Sequence, residues 1–100
     1  MQLLGLLKLD AFKRDHANAC GALDAWQSEV EAARWAGPQD VKNRFPSASF
    51  LADNRVIFNI KGNNYRLIVG INYVKQRVYF KYFLTHAEYN KDYWKNDSNY

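Results

Sequence analysis

The stretch FNIKGNNYRLIVGINY, residues 58–73, sets two β-rich runs on either side of Gly62-Asn63, a short turn signal. Side chains of a strand alternate between faces with a period of two. One face of the second run reads Tyr65, Leu67, Val69, Ile71 and Tyr73, an ordinary core face. The other reads Asn64, Arg66, Ile68, Gly70 and Asn72. An arginine in the middle of such a hairpin is a solvated charge, a paired charge or a ligand for phosphate. The residues around it bear on the choice.

Register follows from keeping charge out of the core, because a one-residue slip turns every side chain over. A two-residue turn at Gly62-Asn63 pairs Lys61 with Asn64, Asn59 with Arg66 and Phe58 with Leu67. A four-residue loop, Val74 to Arg77, then pairs Tyr73 with Val78, Gly70 with Lys81 and Arg66 with Thr85. A three-residue loop would set Lys81 against core Val69 and is rejected. The expected core face is Val56, Phe58, Ile60, Tyr65, Leu67, Val69, Ile71, Val78, Phe80, Tyr82 and Leu84. The expected polar face collects Asn59, Lys61, Asn64, Arg66, Tyr79, Lys81 and Thr85. Thr85 beside Arg66 brings His86 near the arginine, and a helical turn over 86–90 puts Tyr89 on the same side as His86.

Working outward, residues 1–4 can form an edge strand, and a helical pattern runs from about Gly5 to His16. Ala22 to Ala36 carries an apolar stripe of Leu23, Trp26, Val30 and Ala33 at helical spacing, and Gly37-Pro38 stops it. Gln39 to Arg44 can add a short helical turn, and the sheet occupies 49–84. Residues 85–100 read as a short helix followed by a loose tail. The class is α+β, N-terminal helices packed on an antiparallel β-sheet meander, in one domain of 100 residues.

The chain is 48% hydrophobic and 16% aromatic, which excludes a disordered polymer. Its net charge of +4 is unevenly spread. Residues 1–54 hold six Lys/Arg against seven Asp/Glu, a balance of −1; residues 55–100 hold eight against three, a balance of +5. All seven tyrosines lie from Tyr65 onward. A basic, tyrosine-rich half suits a polyanion that also offers bases to stack on, and is equally an ordinary basic surface over core tyrosines. Cys20 is the sole cysteine, so no internal disulfide and no cysteine-based metal cluster is expected. The apolar opening is short, lacks a basic leader and meets charge at Lys8, so neither a signal peptide nor a membrane span is expected.

Arg66, Lys81, His86 and Tyr89 make up two fixed cations, a titratable imidazole and a phenol, with neither a carboxylate pair nor the acid/His set of a metal site. Such a group suits a phosphodiester, with Arg and Lys holding the phosphate charge and His or Tyr moving protons. Each residue alone has a plainer explanation. The cations can be solvated on an open sheet face, His86 can bond backbone in a turn, and the asparagines can serve the turn geometry.

The segments RWAGPQDVKNRFPSASFLADNRVIFNIKGNNYRLIV (34–69) and FKYFLTHAEY (80–89) resemble the HigB-type toxins of the RelE/ParE superfamily, most specifically in NRVIFNIKGNNYRL and THAEY. The resemblance implies a RelE-like α+β fold with a concave sheet face and a ribosome-dependent mRNA endonuclease that needs no metal or other cofactor. The expected products are a 2′,3′-cyclic phosphate and a 5′-hydroxyl end. It implies a partner too, a helix-turn-helix antitoxin of the HigA type, in the cytoplasm. ParE-like relatives instead poison DNA gyrase by contact, and a plain RNA-binding module is a further alternative. Carried over, the catalytic candidates are Arg66, Lys81, His86 and Tyr89, and the RNA-binding candidates Asn59, Lys61, Asn64, Tyr79, Thr85 and Lys91. Lys81 stands where many relatives have arginine, which keeps the charge and loses the planar fork. Asn90 stands where aspartate is common. The helices of the first half, with Trp26 or Trp35 as anchors, are the expected antitoxin surface.

Overall fold

The computed structural model describes residues 1–96; the last four residues of the helix and tail expected over 85–100 lie outside them. The elements are β1 (Gln2–Leu4), α1 (Leu6–Asp15), a 3-10 turn (Ala17–Ala19), α2 (Cys20–Ala32), α3 (Pro38–Arg44), β2 (Ser49–Leu51), β3 (Arg55–Ile60), β4 (Tyr65–Asn72), β5 (Arg77–Thr85), α4 (His86–Asn90) and a second 3-10 turn (Tyr93–Asn96). The strands form one sheet in the order β1-β5-β4-β3-β2. β2 to β5 make the expected antiparallel meander. β1 adds to its edge in parallel with β5, so the sheet is mixed.

α2 buries Leu23, Trp26 and Val30 but ends at Ala32, four residues short of the expected stop. Ala33 is already extended. Leaving the helix there lets Trp35 drop into the core against Phe45, with ring centroids 6.2 Å apart. The ammonium of Met1 donates to the carbonyls of Ala33 and Glu31 and ties the chain's start to this exit. Gly37-Pro38 instead opens α3, with proline in its first turn, where a missing N–H costs nothing. Trp26 and Trp35 are only 3% and 4% exposed, so neither can anchor a partner as expected; both are spent on the chain's own core.

The β3–β4 hairpin has the expected register, with Asn59 opposite Arg66 and Phe58 opposite Leu67. Its strands stop at Ile60 and Tyr65, and Lys61 and Gly62 take the left-handed backbone of the turn. The β4–β5 register differs. The loop is 73–76, so Asn72 pairs with Arg77 and Ile71 with Val78. A β-bulge follows: Val69 faces Phe80, Ile68 faces Tyr82, and Lys81 is the extra residue. Beyond it Arg66 faces Leu84, not Thr85, and Thr85 faces Tyr65.

The bulge reverses the faces of β5 from Tyr82 to Thr85. Tyr82 and Leu84, expected in the main core, join a second cluster on the opposite face with Ile57, Ile68 and Trp94. Phe83 takes their place inside. It stacks on Tyr65 at 5.0 Å and on Phe12 at 5.6 Å, with His16 edge-on at 5.1 Å. A regular ladder would keep charge from the core equally well, but it would turn this large ring away from that cluster. Replacement of Phe83 by alanine should therefore destabilise the fold by about 3–5 kcal/mol, the range of a buried aromatic truncation. Urea denaturation should show a lower midpoint at unchanged slope.

Candidate active site

The face bearing Arg66 is the outer face of the sheet, opposite the main core. Arg66 rises from β4 between Asn59 of β3 and Leu84 of β5. Its Nη1 donates to the carbonyls of Asn63, 2.8 Å away, and Tyr65, 3.2 Å away, which bends the guanidinium back over the hairpin end. Its Cζ lies 5.1 Å from the centroid of the Tyr89 ring. A cation over an aromatic face at that separation is held by the ring quadrupole. The arginine is thus seated by two carbonyls and a ring and meets no carboxylate in either contact.

The sequence THAEY builds the next part. Thr85 caps α4: its Oγ1 accepts from the Glu88 N–H at 3.2 Å, and its own N–H donates to Glu88 Oε1 at 2.9 Å. This reciprocal pair satisfies two backbone donors at the helix start. It also engages the Thr85 hydroxyl that the sequence offers to RNA. The His86 N–H donates to the Asn64 carbonyl at 3.1 Å, which ties α4 to the β3–β4 turn. The exposed His86 ring then stands beside that turn, with Nδ1 3.1 Å from the Asn90 side-chain nitrogen. When Asn90 donates, Nε2 carries the ring hydrogen and is left for a substrate. Tyr89 stacks on Trp94, with centroids 4.9 Å apart and planes 16° from parallel, and Trp94 Nε1 donates to the Tyr89 carbonyl at 2.9 Å.

Lys81 belongs to a different part of the face. As the bulge residue it sends its chain across Gly70, where an added Cβ would come within 3.1 Å of its Cε. Its Nζ lies 5.7 Å from the Tyr79 ring centroid. Partial burial lowers its pKa below the usual lysine value, and the neighbouring charges of Lys8 and Arg55 add to the effect. Gly70 stands four residues along β4 from Arg66, about 13 Å at the usual strand rise. The expected single cluster is therefore two centres on one face: Arg66 with His86 and Tyr89, and Lys81 with Tyr79.

The remaining candidates scatter. Asn59 flanks Arg66 but also lines, with exposed Lys61, a groove against α2 beside Ala22, Trp26 and Phe45. Asn64 contributes its carbonyl to His86. Lys91 closes α4 as an exposed C-cap. Two residues went unread in the sequence. Arg55 faces Gly70 from β3, and its Nη1 donates to the Lys95 carbonyl at 3.3 Å; the two-residue period that includes Asn59 also includes it. Trp94 is fully buried in the segment read as a tail, and a tryptophan among polar residues was the available signal. Among the described residues, no group of three or more His, Cys, Asp or Glu side chains is placed to hold a metal ion. Nor is any of their helices long and apolar enough to cross a membrane.

Residues 19–92 match the family of HigB toxins, RelE-like toxic components of toxin–antitoxin systems. The chain belongs to this family. It is also 27% identical, over 93 residues, to the mRNA interferase HigB of Escherichia coli O6:H1, covering 91% of this chain and 90% of the relative. The family match includes Arg66, Lys81, His86, Tyr89 and Lys91, and it stops two residues before Trp94.

Three variants test this HigB-family geometry. The hydrogen bond from the Thr85 N–H, with smaller help from the Thr85 hydroxyl, His16 and Lys91, lowers the Glu88 pKa below its ordinary value of 4.5 despite an opposing effect of burial. A depressed carboxylate contributes stability that is present above its unfolded pKa and is lost as pH falls through its folded value. Glu88→Gln should therefore flatten the acid limb of a stability–pH curve below about pH 4.5, whereas Thr85→Ala should cost about 1 kcal/mol at neutral pH. Gly70→Ala should leave the melting temperature near wild type, because the group it meets is the end of a flexible chain, yet shift the Lys81 side-chain resonances.

Proposed function

We propose that this HigB-family toxin is an mRNA endoribonuclease that cleaves message held in the ribosome and so inhibits translation. It acts in the cytoplasm and is neutralised by a helix-turn-helix antitoxin of the HigA type. The observation that carries the reading is the Arg66 guanidinium, seated over Tyr89 at 5.1 Å with His86 on the same short helix. It supports phosphate chemistry because a bidentate cation, an imidazole and a phenol share one partly exposed place. The similarity to an mRNA interferase along most of both chains supports the choice of RNA.

In this reading the 2′-oxygen attacks the adjacent phosphorus while the bond from phosphorus to the 5′-oxygen breaks. A 2′,3′-cyclic phosphate and a 5′-hydroxyl end result. A base must take the 2′-hydroxyl proton and an acid must supply one to the departing 5′-oxygen. Arg66 stabilises the charge on the pentacoordinate phosphorus. His86 is assigned a proton role because an imidazole can both accept and donate a proton in general acid–base catalysis. Tyr89 orients the reacting phosphate or carries the second proton. The separation of Lys81 from Arg66 favours a neighbouring phosphate for Lys81, with Tyr79 as its stacking surface. Asn59, Asn64 and Lys61 border the same strand path.

The test is single-turnover cleavage on programmed ribosomes across a pH series. Arg66→Ala should slow cleavage about 10²–10³-fold with an unchanged melt. Arg66→Lys should recover only part of the rate, since a point charge cannot replace the fork. His86→Ala should cost about 10²–10⁴-fold and alter the pH profile. A His86→Ala protein with the wild-type rate and profile would pass the proton role to Tyr89. Wild-type protein that leaves ribosome-bound mRNA intact would end the endonuclease assignment and favour poisoning by protein contact.

A further inference from the structure

Residues 89–96 run back along the face that carries the site. Trp94 sinks into the outer cluster against Ile57, Ile68 and Leu84 and is fully buried. The next residue, Lys95, offers its carbonyl to Arg55 Nη1 at 3.3 Å. The segment is thus pinned to β3, β4 and β5 together. Trp94 meets Tyr89 twice, by stacking at 4.9 Å and by the 2.9 Å hydrogen bond from Nε1 to the Tyr89 carbonyl. Tyr89 in turn lies under Arg66. A continuous stack runs from a buried indole to a partly exposed phenol to a guanidinium.

The mechanics of that stack are unequal. α4 is five residues long and buries no side chain of its own. A helix this short has little intrinsic stability and takes its orientation from its ends. Its N-terminus is held by the Thr85–Glu88 box and the Asn64 carbonyl, and its C-terminal side by the contacts of Tyr89. Without the indole, one face of the Tyr89 ring would lose its wall, and Arg66 would rest on a ring free to turn. We infer that Trp94 is a positioning residue of the active site: it fixes the Tyr89 ring and, through that ring, the Arg66 guanidinium. This rests on the endoribonuclease reading for its consequence, but the seating of Tyr89 is testable apart from it.

The experiment compares wild type, Trp94→Leu, Trp94→Phe and each paired with Tyr89→Leu, which removes the ring between Trp94 and Arg66. At Trp94, leucine keeps an apolar filler in the cluster and removes the stacking partner; phenylalanine keeps a ring and removes the N–H. Trp94→Leu should melt cooperatively and slow the single-turnover step by up to about 10²-fold, the scale of a small misplacement, with half-saturation little changed. Trp94→Phe should fall between it and wild type, and it carries the test if the leucine variant does not fold. In the Tyr89→Leu background the Trp94 substitutions should cost far less, since neighbours that act as a unit are not additive. The Tyr89 ring protons, assigned through Tyr89→Phe, should sit upfield in wild type under the indole and return toward free tyrosine in Trp94→Leu. An undiminished cost in the double variant, or unmoved Tyr89 resonances, would overturn the inference. If wild type cleaves no mRNA, the endoribonuclease reading fails on its own, and the Tyr89 shifts still decide whether Trp94 seats the ring.

Discussion

The single extra residue at Lys81 governs the rest of the molecule. A strand in strict alternation can send either Phe80 or Phe83 to a given face, but not both. The bulge between Phe80 and Tyr82 breaks that parity, so both phenylalanines enter the main core while Lys81 reaches outward over Gly70. The outer face then acquires Tyr82 and Leu84 as apolar material, which gives Trp94 something to pack on. The sheet is therefore buried on two sides where its polar face would otherwise be bare, and the segment that covers it comes from the chain's own C-terminal side.

That covering shapes the electrostatics. Among the described residues Arg66 is seated on an aromatic ring and two carbonyls and not on a carboxylate, so these contacts orient its charge without neutralising it. Partial burial lowers the Lys81 pKa and the nearby charges of Lys8 and Arg55 add to it; an incoming polyanion would relieve that repulsion. In the proposed reading an array of this kind favours a phosphate backbone along its length, with the chemistry assigned to the end where His86 and Tyr89 stand. The short helix that carries both is built from a capping box and borrowed contacts, so its precision is tertiary in origin.

Much of the fold was legible because the relevant physics is local. The stripe of Leu23, Trp26 and Val30 marks α2, and period-two alternation marks β3 and β4. The Gly62 turn leaves one register that keeps Arg66 out of the core, and that register is the one observed. The exit of α2 at Ala32 was not legible, because it depends on Trp35 finding Phe45, ten residues on. The parallel addition of β1 was not legible either, since three residues carry no signal of the strand they will join. Within the site, the company of Arg66, His86 and Tyr89 followed from the THAEY turn succeeding β5, whereas the distance to Lys81 did not.

By itself, then, the sequence determined the α+β class, the order of its elements, the hairpin around Arg66, and the family to which NRVIFNIKGNNYRL and THAEY point. These depend on periodicity, turn chemistry and short-range spacing, which a linear string carries. Only the tertiary structure decided that β5 bulges at Lys81, that Thr85 caps a helix instead of flanking Arg66, and that Trp94 lies buried beneath the site. Each of those is a competition between ways of burying large rings. Its outcome depends on partners tens of residues away, and no local pattern records which ring wins.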